Sequence, residues 1–196
     1  MKKIVLIVAG GNGERMKSKI PKQFLLLNNT PILMHTITAF SKFNEIVLVL
    51  PKKHFNYWKT LCKTTGFKQK LTLVEGGESR FNSVKNGLKK IPENSIVLIH
   101  DGVRPIVSKY LINRLITVVK KGIGSVPVIP MENSIRKTTE KDSKHVNRKN
   151  LYIVQTPQCF LGKDIKAAYQ QNLCDSFTDD ASVFENNGGS VNVVEG

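Results

Sequence analysis

The residues best suited to chemistry stand near the N-terminus, in Ala9-Gly10-Gly11-Asn12-Gly13-Glu14-Arg15-Met16 and, shortly after, Pro21-Lys22-Gln23. They follow an apolar run of strand length, residues 3–8. Glycines after a buried strand let backbone N–H groups close round an anion with no side chain in the way. The stretch is not a Walker A loop, because no Gly-Lys-Ser/Thr follows at the required spacing. Nor is it a dinucleotide fingerprint: Gly11 and Gly13 supply G-x-G, but position 16 is Met. Arg15 and Lys22, seven residues apart, add what glycines lack. On a loop that folds back, both cations can face a polyphosphate and stabilise charge developing on it. The glycines alone would equally suit a turn with two surface cations.

A second candidate is Asp101, which follows the apolar run 96–99. In open α/β sheets, ligands sit beyond the carboxyl ends of the strands, so a carboxylate there reads as functional. The competing role is a cap for the helix after Pro105. His100 reads as structural, Arg80 as an ordinary helix-surface cation, and Asp179 and Asp180 as helix caps.

These residues need a scaffold, and the chain alternates between two patterns. Residues 3–8, 45–50, 71–74, 96–99 and 125–128 are continuous apolar runs of the kind covered on both faces of a sheet. Between them, residues 31–40, 54–63, 80–90 and 109–121 carry apolar side chains at helical steps. Pro31 and Ser108 stand at the starts, and Gly66 and Gly122 after the ends. This predicts an α/β fold with a doubly wound, mostly parallel sheet. The alternation breaks after Pro130, where polar segments 133–139 and 144–148 flank a turn over 140–143. They predict a protruding hairpin arm at about 131–150. An isolated hairpin is marginal in water, so a second subunit is the expected packing partner. Residues 151–154 join the arm back to the domain, and after 155–160 helices over 163–173 and 179–187 and a strand over 190–194 complete a single domain.

Composition bounds the possibilities. Thirty Lys+Arg against fifteen Asp+Glu give a net charge of +15, a field that attracts polyanions. The lysines are scattered, however, and no basic stretch interleaves with aromatics, so no specific nucleic-acid partner is expected. A basic nucleic-acid-binding module remains the alternative of another class, and a nicotinamide dehydrogenase is disfavoured by the incomplete fingerprint. Cys62, Cys159 and Cys174 form no C-x-x-C pair, which argues against a disulfide framework or structural zinc and for a reducing compartment. The apolar run near the N-terminus is too short for a membrane span and lacks a signal-peptide cleavage site, so a cytoplasmic location is expected.

The combined pattern is more specific than any part. A-G-G-x-G-x-R-M followed by P-K-Q-F resembles the opening signature of sugar-nucleotide and polyol-phosphate nucleotidyltransferases. Further segments follow in order: E-G-G-E-S-R-F-N-S from Glu75, H-D-G-V-R-P from His100, V-P-V from Val126 with S-I-R-K from Ser134, N-R from Asn147, Q-T-P-Q from Gln155 and T-D-D-A-S from Thr178. Together they resemble the 2-C-methyl-D-erythritol 4-phosphate cytidylyltransferase family along the whole chain. The ribitol 5-phosphate cytidylyltransferases share several of these segments and are the nearest alternative.

That resemblance implies a set of roles. Ala9, Gly10, Gly77, Glu78 and Ser83 would line a cytosine pocket, with Arg80 and Gly102 beside them in the CTP site. Gly11, Gly13, Arg15 and Lys22 would hold the triphosphate, Arg15 and Lys22 being catalytic. Asp101 would meet the ribose and a magnesium ion. Arg104, Ser134, Arg148 and Thr156 would receive methylerythritol phosphate, with Arg148 reaching in from a homodimer partner's arm. Ser134 stands where the family usually has threonine, which keeps the hydroxyl. The family also continues beyond Val194-Glu195-Gly196 with a lysine-bearing loop and a C-terminal helix. The 196 residues are therefore expected to be a shortened form, with half of the electrostatic clamp outside them.

Overall fold

The computed structural model describes residues 1–11 and 20–196. The first strand, β1 (Lys2–Val8), lies at the middle of the sheet, and Ile4 through Ile7 are fully buried. A run that is apolar at every position needs cover on both faces. Val5, Ile7 and Ala9 pack against one side, with α1 (Ile32–Ala39), α2 (Phe55–Thr65) and α4 (Lys109–Val118) supplying Leu33, Ile37, Trp58, Ile112 and Leu115. Ile4, Leu6 and Val8 face the other side, against Val84 and Leu88 of α3 (Arg80–Leu88), Ile165 of α5 (Gly162–Ala168) and Phe184 of α6 (Asp180–Asn186).

A two-residue hairpin, β2 (Leu26–Leu27) with β3 (Thr30–Pro31), leads into α1. In the main sheet β1 pairs in parallel with β4 (Glu45–Leu50) and β6 (Ser95–Asp101), and β4 with β5 (Thr72–Glu75). Beyond β6 comes β7 (Ile123–Pro130), whose Val128 pairs with strands on both of its edges. On one edge runs β12 (Ser190–Glu195), in parallel; on the other runs β10 (Tyr152–Val154), antiparallel. The sheet is therefore mostly parallel with helices on both faces, as the alternation predicts.

Two expectations change. The joining segment 151–154 holds a strand, β10, and 155–160, for which the pattern predicts no element, holds another, β11 (Gln158–Leu161), antiparallel to both β6 and β7. β10 and β11 run successively along one edge of β7, separated by Gln155, Thr156 and Pro157. The helix expected over 163–173 stops at Ala168, where the Gln171 side-chain amide donates to the Ala168 and Val183 carbonyls at 2.7 and 2.9 Å. Side-chain caps of this kind satisfy carbonyls that a helix end leaves free.

The arm is a two-stranded ribbon of β8 (Ile135–Thr138) and β9 (Ser143–Val146), paired apart from the main sheet. Its turn comes one residue earlier than expected, over 139–142, because Thr139 N–H donates to the Asp142 carbonyl at 2.8 Å. Between residues 132 and 150 only Ile135 and Val146 escape full exposure.

Candidate functional site

The carboxyl ends of β1, β5 and β6 open onto one crevice. Gly102, directly after β6, donates its N–H to the Val8 carbonyl at 2.9 Å, and a Cβ there would stand 2.7 Å from the Ala9 Cβ. Only glycine lets the two strand ends come this close. From the β5 side, the Gly77 N–H donates to Ser83 Oγ at 3.1 Å, and a Cβ on Gly77 would clash with Asn82 at 2.4 Å. Ser79 caps α3 by accepting the Asn82 N–H, which fixes this turn to the helix start. Ser83 Oγ lies 3.4 Å from where a Gly10 Cβ would be, so the two glycine segments face each other. Glu78 is exposed at the rim.

Lys22 belongs to a short 3-10 turn (Lys22–Phe24), and its Cε lies 3.8 Å from the position a Gly11 Cβ would take. The next residue, Gln23, is buried and donates its Nε2–H to the Ala9 carbonyl at 2.9 Å. Phe24 is buried too, edge-on to His54 and Tyr57. Gln23 and Phe24 thus anchor the backbone from which the Lys22 side chain extends toward Gly11. The readings of Gly13 and Arg15 lie outside the described residues.

Asp101 does not cap a helix; Ser108 caps α4 by accepting the Leu111 N–H. Its carboxylate stands between two guanidinium groups, with Arg104 Nε donating to Oδ2 at 3.0 Å and Arg80 Nη2 at 3.8 Å from Oδ1. The Asp101 N–H donates to Thr156 Oγ1 at 3.2 Å. Arg104 and Thr156 also line a cleft of about 250 Å³ with Pro105, Ile106, Leu111 and Gln155.

His100 is structural, as read from the sequence. It is fully buried, and its Nε2 lies 2.9 Å from the Arg104 carbonyl, which can only accept, so Nε2 carries the proton. Nδ1 then accepts from the Thr156 hydroxyl at 3.0 Å. Burial lowers the pKa of His100 to about 4, so the ring is neutral near pH 7.

The two acids expected as caps differ. Asp179 caps α6 in a capping box with Ser182, while Gln158 Nε2 donates to its other oxygen at 2.8 Å. Asp180 is instead a fully buried ion-pair partner, accepting from Arg80 Nη1 and Nη2 at 2.9 and 2.5 Å and from the Tyr169 hydroxyl at 2.6 Å. Arg80 is thus neither a free surface cation nor a lone group. Sequence reasoning missed Gln23, Tyr169 and this role of Asp180; the signal for the last was a doubled acid where a cap needs one.

Ser134 and Arg148 are not joined to this cluster within one chain. Ser134 is exposed at the root of the arm, and Arg148 Nη1 donates to the Glu132 carbonyl in the same root. Among the described residues, no group of three His, Cys, Asp or Glu side chains is placed to hold a metal unaided.

A crevice of close-packed glycines and a cation at the carboxyl edge of a doubly wound sheet defines a nucleotidyltransferase-type domain. Residues 3–196 match the family model of 2-C-methyl-D-erythritol 4-phosphate cytidylyltransferase (IspD). The protein of that name from Azobacteroides pseudotrichonymphae is 48% identical over 186 residues, covering 93% of this chain and 84% of its own length. That from Bacteroides fragilis is 47% identical over 201 residues, covering all of this chain and 91% of its own. The crystal structure of the Francisella tularensis enzyme superposes with a TM-score of 0.82 at 30% identity, covering all of this chain and 90% of that one. The chain belongs to the 2-C-methyl-D-erythritol 4-phosphate cytidylyltransferase family.

Proposed function

We propose that this protein transfers the cytidylyl group of CTP to the phosphate of 2-C-methyl-D-erythritol 4-phosphate, releasing pyrophosphate, in isoprenoid biosynthesis. The observation that carries this reading beyond family membership is Asp101. It is the hinge between a glycine-walled crevice (Gly10, Gly11, Gly77, Ser83, Gly102) and a cleft bearing Arg104 and Thr156. One carboxylate thus borders a site shaped for a flat base and polyphosphate and another with a cation and a hydroxyl.

The acceptor phosphate has a second pKa of about 6, so its oxygen is already ionised at neutral pH. The O–Pα bond forms as the bond from Pα to the pyrophosphate oxygen breaks, and no side chain need take a proton. His100 is unfit for that task, since both of its nitrogens are engaged and it is buried. Ala9, Gly10, Gly77, Glu78 and Ser83 would hold the cytosine, and Gly11, Gly13, Arg15 and Lys22 the triphosphate. Catalysis is then alignment and electrostatic stabilisation, with Lys22 and Arg15 meeting the charge that builds on the leaving group.

Thr156 spends its single proton on His100, so its remaining lone pair suits a hydroxyl of the polyol rather than a phosphate oxygen. The phosphate would fall to Arg104, Ser134 and Arg148. Magnesium is commonly held by one or two carboxylates plus substrate phosphates, and Asp101, partly exposed at the crevice mouth, meets that requirement. Asp101 would be its protein ligand, and the ion would neutralise phosphate charge.

The arm readings support a homodimer. Ser134 and Arg148 stand exposed at the root of the ribbon, and nearby Leu151, Tyr152, Ile153 and Val154 leave 39%, 52%, 41% and 41% of their surfaces exposed. An apolar sheet edge left bare in this way invites pairing with another chain. No described helix is long and apolar enough to cross a membrane; a cytoplasmic location is the reading that accords with the free cysteines. The proposed reaction is tested by measuring pyrophosphate release with CTP, magnesium and each polyol phosphate in turn.

A further inference from the structure

Among the described residues, Asp180 is the one fully buried carboxylate, and no step above uses it. Helix α6 does not need it, because Asp179 already supplies the cap. A buried ion pair is weak evidence for stability, since desolvation of both charges offsets their attraction. Its geometry must therefore be judged by what it holds in place.

The contacts form one directed chain. Tyr169, 1% exposed, donates to Asp180 Oδ1 at 2.6 Å, and burial together with the Asp180 charge keeps its phenol protonated. Arg80, one hundred residues away in sequence, grips both Asp180 oxygens with Nη1 and Nη2. A planar guanidinium fixed along one edge has little freedom left. Its Nη2 then stands 3.8 Å from Asp101 Oδ1, while Arg104, more exposed, holds Oδ2. Of the two cations flanking Asp101, Arg80 is the anchored one.

We propose that Tyr169, Asp180 and Arg80 form a positioning relay, rooted in the core, that sets the orientation of the Asp101 carboxylate toward the nucleotide. Arg80 in this account acts through Asp101 rather than on CTP directly. The relay rests on the functional reading above.

The test uses the whole chain. If the wild type releases no pyrophosphate with CTP, magnesium and methylerythritol phosphate, the functional reading fails and the relay is judged by spectroscopy alone. Tyr169→Phe removes one hydroxyl and little volume, which lessens the folding risk that Asp180→Asn carries. It should lower kcat about 3- to 10-fold while KM for CTP stays within about twofold. In an Asp101→Asn background the same change should alter kcat by less than about 1.5-fold, because the last member of the relay is gone. Arg80→Lys keeps the charge but cannot span two carboxylates, so it should lose as much turnover as Arg80→Gln. Independently of turnover, the Arg80 Nε–H signal in nitrogen–proton spectra, identified by its loss in Arg80→Lys, should shift in both Tyr169→Phe and Asp101→Asn. An unchanged kcat in Tyr169→Phe, losses that multiply in the double variant, full rescue by Arg80→Lys, or an Arg80 signal indifferent to Asp101→Asn would each overturn the relay.

Discussion

The crevice around Asp101 and the arm at 131–150 are built on opposite plans. In the crevice the polar groups around Asp101 are cross-braced. Asp101 is held by Arg80, Arg104 and Thr156, Thr156 by His100, and Gly77 by Ser83. The arm bonds mainly to itself, as when the Arg136 guanidinium donates to Ser143 Oγ and its carbonyl at 2.7 Å each. Preorganised groups stabilise charge without reorganising at the moment of reaction. An exposed ribbon gains that property only against another body. Under the proposed function, the nucleotide would fall to the braced region and the acceptor phosphate in part to a second copy.

The comparison can be broken in several ways. Lys22→Ala, which removes the cation, should lower kcat by about 10²–10³, the loss typical of one oxyanion-stabilising group. A raised KM for CTP with unchanged kcat would end its catalytic role. The pH response of His100 tests the bracing itself. Its folded pKa of about 4 lies below the ordinary 6.5, so between those values the unfolded chain binds a proton that the folded one does not. Stability is complete above pH 6.5 and should fall as pH drops toward 4, by up to about 3 kcal/mol. Chemical unfolding at pH 7 and 4.5 reads this, and His100→Gln should flatten the slope.

Gly77→Ala should cost about 1–3 kcal/mol of stability, since its Cβ meets Asn82 at 2.4 Å. On the arm, His145→Ala touches only exposed surface and should shift the unfolding midpoint by less than about 0.5 kcal/mol in energy. The arm's own role is read by mixing two weak variants, Lys22→Ala and Arg148→Ala. If each site draws Arg148 from the partner, half of the random dimers carry one intact site, and about a quarter of wild-type activity returns. No recovery on mixing would place Arg148 in its own chain's site.

Much of this was legible in the sequence, for identifiable reasons. Apolar runs such as 45–50 are of strand length and rich in β-branched residues, which suits a sheet covered on both faces, and the helix-start residue Ser108 does what its type favours. The polar arm after Pro130 stood out because it lacks a core. What stayed hidden depends on distant partners. Arg80 and Asp180 are one hundred residues apart, and only the fold shows that they meet. The direction of β11 depends on its pairing with the distant β6, and the anchoring of the backbone at Lys22 on a glutamine whose partner is a backbone carbonyl.

The most direct measurement follows pyrophosphate and the cytidylylated product when the protein is given CTP and magnesium with either methylerythritol phosphate or ribitol 5-phosphate. The account predicts that pyrophosphate and a CDP-polyol appear in equal amounts with methylerythritol phosphate, and that ribitol 5-phosphate gives little of either. Turnover with ribitol 5-phosphate in preference, or none with methylerythritol phosphate, would contradict it.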